Sequence, residues 1–265
     1  MTKQYTVQAT PEAQEAGAVA IAVASLPATF GPAASEVGSV RVIAGQPGWT
    51  REAQDMIDAG ARGIVVVNPA AEATADLTRA AEASGTAIVL DQRWASNPAV
   101  AAAEDAVRSV ADRAALLDSV ATAEAGTGAS ELLADHLAAV VRLSGPLENV
   151  RPVHRGTQGY TLSAQLANGA PVALQGILSS ARPAGVHISL LTDDGGVRIA
   201  LPDPLAAWPA TVKVTGPQGE LLLPTLYESA HRATWRRLKE HLDSGTTSSD
   251  LQRFAALTES LSTLS

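Results

Sequence analysis

Few residues in this 265-residue chain combine type and position in a way that could do chemistry, and cysteine is not among them, since there is none. His136 stands on a stretch of helical periodicity, and an imidazole titrates near neutrality, so it is a candidate general base. Asp91, Arg93 and Trp94 follow an apolar run at a strand's end, where open α/β sheets take their ligands. A carboxylate, a guanidinium and an indole together can hold a polyol or a carboxylate. Asn68, just before Pro69, has the same kind of address; its amide can hold a hydroxyl but cannot take the hydroxyl's proton near neutral pH. Each has a plainer reading. His136 can be a buried helix histidine, Arg93 can pair with Asp91, Trp94 can fill a domain junction, and Asn-Pro is a common turn.

Other clusters carry less. Gly126-Thr127-Gly128-Ala129-Ser130 could cradle a phosphate on backbone amides, or be a short junction loop. Asp193-Asp194 precede two glycines and read as turn residues. Ser130, Asp135 and His136 lie too close on one helix to form a nucleophile triad. Arg232, Arg236, Arg237 and Lys239 form a solvated face countered by Glu228, Glu240 and Asp243. Without cysteine there are no disulfides, thiolate metal sites or thiol nucleophiles.

The net charge is −8 and both halves of the chain are acidic, which excludes the basic face that nucleic acid or an anionic membrane would need. With 46% hydrophobic and 17% charged residues, the composition is that of a globular protein. The early apolar run Ala18–Ala24 is too short to span a membrane and lacks a basic flank, so the expected location is the cytoplasm.

The elements that must position these residues fall into two grammars. Ala18–Ala24 reads as a buried strand, broken by Pro27, Gly31 and Pro32. Strands are then expected at Val40–Ala44, Ile64–Val67 and Thr86–Leu90. Helices are expected from a Thr50 cap to Ala59, over Ala70–Ser84, and from Asn97-Pro98 towards Arg108. That order predicts a parallel sheet with helices on both faces. After about residue 122 come a helix at Ser130–Leu143 and three hairpins, 160–166/171–177, 186–191/197–201 and 212–215/220–223. Two closing helices follow, near 227–242 and 250–264. The fold class is therefore α/β followed by α+β. A truncated Rossmann-like domain (1–122) precedes a mostly antiparallel sheet with its helices segregated from the strands (123–265).

Three stretches give this plan a family likeness. Thr50 to Pro69 resembles a helix, an Ala-Gly turn and a strand ending in Glu-Lys-Pro, here Val67-Asn68-Pro69. Ala80 to Val100 resembles the next helix, a strand and an Arg-aromatic-x-x-Pro segment. His136 to Gly145 is similar to a His-bearing helix ending in glycine. Together they resemble the glucose–fructose oxidoreductase / inositol dehydrogenase (Gfo/Idh/MocA) family over roughly residues 40–265.

The resemblance implies an NAD(P)-dependent sugar or polyol oxidoreductase, and the departures from it are informative. After the strand expected at Ala18–Ala24 stands Ser25-Leu26-Pro27-Ala28-Thr29-Phe30-Gly31 in place of a Gly-x-Gly-x-x-Gly turn. Two βαβ units need about 60 residues, so much of the dinucleotide half is expected to be missing. The family's lysine is Asn68, its helix aspartates are Leu132 and Ala139, and only His136 survives; none of the three lysines lies nearby in sequence. The expectation is an oxidoreductase-like protein with degraded motifs and no cofactor. It would be a non-catalytic partner or sugar-type ligand-binding homologue, with His136 and Asn68 at the catalytic address and Asp91, Arg93 and Trp94 at the ligand. The alternative is a divergent oxidoreductase of a sugar or polyol that uses NAD(P) and His136. A third reading is a small-molecule sensor or scaffold. The partner is expected to be a second copy or an active relative, met through the C-terminal sheet, with Ile188, Leu190, Ile199 and Leu201 on its apolar side.

Overall fold

Runs of β-branched residues with no polar interruption build the first sheet. In a computed structural model describing residues 4–33, 39–203 and 208–262, contacts divide the chain into two compact units. Unit 1 is Met1–Gln92 with Ala230–Thr258; unit 2 is Arg93–Ser229 with Glu259–Ser265. The expected single cut near residue 122 falls inside a strand of unit 2, and the penultimate helix belongs to unit 1.

Unit 1 carries a five-stranded parallel sheet in the order β2-β1-β3-β4-β5. The strands are β1 (Tyr5–Ala9), β2 (Phe30–Pro32), β3 (Val40–Ala44), β4 (Gly63–Val67) and β5 (Ala87–Asp91). Its helices are α1 (Pro11–Ala16), α2 (Val19–Ala24), α3 (Trp49–Asp58), α4 (Ala75–Ser84), α7 (Ala230–Ser244) and α8 (Asp250–Ser262), the last mostly in this unit. Both faces are covered. Val42, Val65 and Val89 pack with α1, α2 and α7, where Trp235 meets Phe30 edge-on at 4.9 Å. Ile43, Ile64, Val66 and Ile88 are buried on the opposite parity. Doubly covered parallel strands carry such continuous apolar runs.

Two expectations fail in the first 38 residues. Ala18–Ala24 is not a strand: Val19, Ala22 and Val23 are buried at helical spacing while Ile21 is 75% exposed. A short apolar run fits either period, and here packing against α7 selects the helix. The first strand is instead Tyr5–Ala9, whose Tyr and Val face inward. The dinucleotide half is thus short but present as strand, two short helices and strand. Residues 1–3 and 34–38, on which the expectation for 1–38 also falls, lie outside the described residues.

β5 is an edge strand, and its exposed backbone is closed by side chains. The Leu90 amide donates to Asp250 Oδ2 at 3.0 Å, and Arg237 Nη2 donates to the Leu90 carbonyl at 3.0 Å. Arg237 also grips both Asp250 oxygens, at 3.0 and 2.8 Å. Asp250 and Arg237 stand in for a sixth strand at this point.

Unit 2 holds an eight-stranded mixed sheet in the order β13-β12-β11-β10-β6-β9-β8-β7. Its strands are β6 (Leu116–Ala123), β7 (Glu148–Gly156), β8 (Gly159–Gln165), β9 (Pro171–Leu178), β10 (Gly185–Leu191), β11 (Gly196–Pro202), β12 (Thr211–Gly216) and β13 (Gly219–Leu222). The three predicted hairpins are β8/β9, β10/β11 and β12/β13. Strand β6, unforeseen, runs through the middle, parallel to β9 and antiparallel to β10. Helices α5 (Ala99–Arg108) and α6 (Ala129–Ser144) pack on one face.

Ile188, Leu190, Ile199 and Leu201 alternate as expected but lie on the helix-covered face, each no more than 2% exposed. Ile188 sits directly opposite Ser119, which bonds a side chain of α6, so the two share that face. The other face carries His187, Ser189, Arg198 and Lys213 with Leu191 and Ile177. These four apolar residues therefore cannot line a partner interface.

Candidate functional site

Helix α6 begins after Gly128 and stops at Gly145, whose φ of +82° a side chain would resist. Its buried residues Leu132, Leu133, His136, Leu137, Val140 and Leu143 form one stripe towards the sheet. His136 is the polar member of that stripe and is fully buried. Its Nε2 lies 2.6 Å from Ser119 Oγ and its Nδ1 lies 2.9 Å from the Tyr160 hydroxyl. Ser119 donates its own proton to the His187 carbonyl at 3.1 Å, so its oxygen must accept from Nε2–H. Nδ1 then accepts from Tyr160. Neither nitrogen remains for a substrate, and burial pulls the imidazole pKa down to about 3.

One position earlier, Asp135 is turned off that stripe and only half-buried. Burial pushes its carboxyl up to about 7, with Arg93 drawing it back and Glu131 adding to the rise. Sequence reading passed over Asp135 because it considered the residue only as part of a triad. The same unit holds Arg93, whose Nη2 donates to Asp203 Oδ2 at 2.6 Å and whose guanidinium lies 5.1 Å from the Trp94 ring centre. Two buried polar atoms here, Arg93 Nε and Trp94 Nε1, have no hydrogen-bond partner. Buried donors left open in this way are available to a bound acceptor.

Asp91 belongs to unit 1. It ends β5 on the face covered by α7, where its carboxylate accepts from His231 Nδ1 at 2.6 Å and from Thr234 Oγ1 at 3.1 Å. Asp91 and Arg93 thus fall in different units, and Arg93 pairs with Asp203 instead of Asp91.

Asn68 lies exposed after β4 with φ +50°, a left-handed conformation that Asn tolerates. Its backbone N–H donates to the Asp91 carbonyl at 2.9 Å. Gly45 approaches this turn so closely that a Cβ there would lie 2.2 Å from Pro69 Cα. No described lysine replaces the missing one beside it. Lys239 pairs with Asp243, which also holds the hydroxyl of Tyr5 at the opposite, amino end of the sheet. Lys213 pairs with Glu220 at 2.8 Å within a hairpin of unit 2, and Lys3 is outside the described residues.

The strand order places a switch point between β1 and β3, the usual position for a dinucleotide. The residues there do not fit a pyrophosphate. After β1 the Thr10 amide is spent on the Val42 carbonyl, Pro11 has no N–H, and the Ala13 amide is taken by Thr10 Oγ1. Glu12 adds a carboxylate to the first turn. At α3 the chain's own Glu72 caps the amides of Gly48 and Thr50 and accepts from Thr50 Oγ1 at 2.8 Å. Thr50 therefore sits inside the helix, and Glu72 supplies the cap. The segment Ser25–Gly31 is not the turn after the first strand; it joins α2 to β2.

Among the described residues no group of His, Asp and Glu is arranged to hold a metal ion, and no helix is long and apolar enough to cross a membrane.

No protein-family model matches the sequence, and no curated protein matches it. Solved structures do resemble it. The WlbA dehydrogenase of Bordetella pertussis, in complex with NADH and UDP-GlcNAcA, superposes with a TM-score of 0.72 at 12% identity, over 98% of this chain and 95% of that one. A variant of KijD10, a 3-ketoreductase from Actinomadura kijaniata in complex with TDP-benzene and NADP, gives 0.69 at 14% identity over 98% of both chains. UDP-N-acetylglucosamine 3-dehydrogenase GnnA from Acidithiobacillus ferrooxidans gives 0.69 at 11% identity over 99% and 97%. At such identities the likeness is one of fold. The chain therefore shares the fold of these structures, a parallel α/β sheet followed by a mixed, mostly antiparallel one.

Proposed function

We propose that this oxidoreductase-like chain no longer runs NAD(P)-dependent chemistry and acts as a non-catalytic partner of an active relative or as a binder of a sugar-type ligand. The observation that carries this reading is the enclosure of His136 between Ser119 and Tyr160. Taking hydride from a carbinol also requires a base within reach of the hydroxyl proton. A buried imidazole with both nitrogens engaged does not offer one, and the amide of Asn68 accepts no proton. The engagement of the Thr10 and Ala13 amides after β1, with Pro11 between them and the Glu12 carboxylate beside them, supports the same reading, because it leaves the cofactor's phosphates few donors there.

As a binder, the chain offers Arg93, Trp94 and Asp135 to a ligand rich in oxygen. As a partner, it would meet a second copy or an active relative through the face of the eight-stranded sheet that carries Leu191 and Ile177. A sensor or scaffold would use the same groups without turnover.

A second reading is a divergent sugar or polyol oxidoreductase in which Asp135 replaces His136 as the base. A carboxyl with pKa near 7 beside Arg93 favours it.

Calorimetric titration with NAD⁺, NADH, NADP⁺ and NADPH separates the two. The proposal expects no heat from any of the four. Binding tighter than about 100 μM, roughly −5.5 kcal/mol, overturns it and makes Asp135→Asn the next activity test. A strictly monomeric sedimentation profile, alone and mixed with an active relative, overturns the partner role.

A further inference from the structure

The β7–β8 hairpin and strand β9 border an open groove of about 320 Å³ in unit 2. That lies at the lower end of the range for small-molecule sites, about 300–1,000 Å³. No Asp, Glu, Lys or Arg lines it. Its hydrogen-bonding side chains are His154, Thr157, Gln158, Thr161 and Gln175, all without an anionic or permanently cationic group. None of the five bonds to another side chain or to the backbone among the described residues. The far end of the same strands differs: there Asn149 donates to Gln165 at 2.7 Å, so that amide pair is closed on itself.

The pairing of the strands sets the spacing. His154 is opposite Thr161, and Thr161 is opposite Gln175, so the three form one row across β7, β8 and β9. Neighbouring strands lie about 4.8 Å apart. A ligand that engages the whole row must present several hydrogen-bonding groups along a line. Gly159 lets β8 and β9 pair closely at this end: a Cβ there would lie 1.9 Å from the Gly176 carbonyl oxygen. The Tyr160 ring lies against Gly176 on the helix-covered face, where a Cβ would come within 2.2 Å, so it is not part of the polar row. Its hydroxyl is directed away, to His136.

From these features we infer that the groove is a binding site for a neutral, polyhydroxylated ligand of the carbohydrate class. His154, Thr161 and Gln175 bond successive hydroxyls, and Gln158 reaches over from the turn. The groove lies on the sheet face that carries Ile177, so a ligand there would compete with a partner on that face, and it requires neither a catalytic nor a non-catalytic role for the chain.

The test is amide and imidazole NMR on the full chain, titrated in turn with glucose, galactose, N-acetylglucosamine, myo-inositol and cellobiose, with glucuronate as the charged control. At least one neutral probe is expected to bind at about 1 mM or tighter, with shifts centred on Gly156–Thr161, Gln175–Ile177 and the His154 ring. Gln158→Ala, in the exposed turn, and Thr161→Val with Gln175→Leu should each weaken that probe, the pair by tenfold or more. The inference is overturned if no neutral probe shifts those signals at tenfold that concentration. It is also overturned if glucuronate binds as well as the best neutral probe, or if folded groove variants bind like the parent.

Discussion

Ser119 and His136 meet at 2.6 Å in the interior of unit 2, and the direction of that bond is set by a third group, the His187 carbonyl that takes the Ser119 proton. The histidine is therefore the Nε2–H tautomer, with Nδ1 accepting from Tyr160. Nitrogen-15 spectra of the imidazole should report that tautomer, neutral down to about pH 4. An imidazolium at pH 6 would contradict it.

His136→Ala removes the ring and leaves the Ser119 and Tyr160 groups without their buried partner. The expected loss of stability is about 2–4 kcal/mol, read from urea unfolding. His136→Gln, which keeps a donor and an acceptor, should recover part of it.

The two neighbours on α6 respond to pH in opposite senses. His136 is held neutral in the fold, so unfolding takes up a proton below its ordinary pKa near 6.5. Its contribution is complete above that pH and drains as pH falls towards 3. Asp135 holds its proton in the fold up to about pH 7, so its contribution is complete below its ordinary 3.8 and is lost as pH rises through 7. Between these limits the two slopes oppose each other. Asp135→Asn should uncover the histidine, making stability climb by up to about 1.4 kcal/mol per pH unit from pH 4 to 6 relative to the parent. A variant profile parallel to the parent's would count against the assignment.

The clamp on β5 predicts a local effect. Asp250→Ala removes the acceptor for the Leu90 amide and the partner of Arg237. Hydrogen exchange at Leu90 should accelerate about tenfold or more, as expected for losing roughly 1.4 kcal/mol of local protection. Unchanged exchange would show that the edge is closed without this carboxylate.

Gly45 tests the close approach at the Asn68 turn. With a Cβ only 2.2 Å from Pro69 Cα, Gly45→Ala forces two backbones apart. A loss of at least about 2 kcal/mol is expected, whereas Asn68→Gly, which relaxes φ +50°, should cost little. Thermal melts of the two variants decide the point.

Short-range signals made much of the fold legible. Val40–Ala44 and the strands at Gly63–Val67 and Ala87–Asp91 follow from their apolar runs. Asn168-Gly169 marks the β8/β9 turn, as the glycine-rich segments mark the next two hairpins. Helix α6 was bounded within a residue by its glycines. Tyr5–Ala9 was legible too, in the alternation of Tyr5 and Val7, but the neighbouring Ala-Val run drew the strand assignment to itself.

What only the tertiary structure decided has a common cause. Alternation along β10 and β11 declares two faces without saying which one the helices cover, so Ile188 and Ile199 were assigned to the wrong side. Seven residues at 18–24 fit strand or helix until α7, more than 200 positions later, packs against them. Asp91 finds His231 at a separation of 140 residues, and Arg93 finds Asp203 at 110. From sequence, His136 was a candidate base by its residue type and by resemblance alone. Its tautomer, its burial and the loss of both free nitrogens came from Ser119 and Tyr160, on two strands that only the folded sheet brings beneath α6. Propensity, turns and periodicity act within a few residues; a proton acceptor is made or unmade by neighbours that the chain must fold to meet.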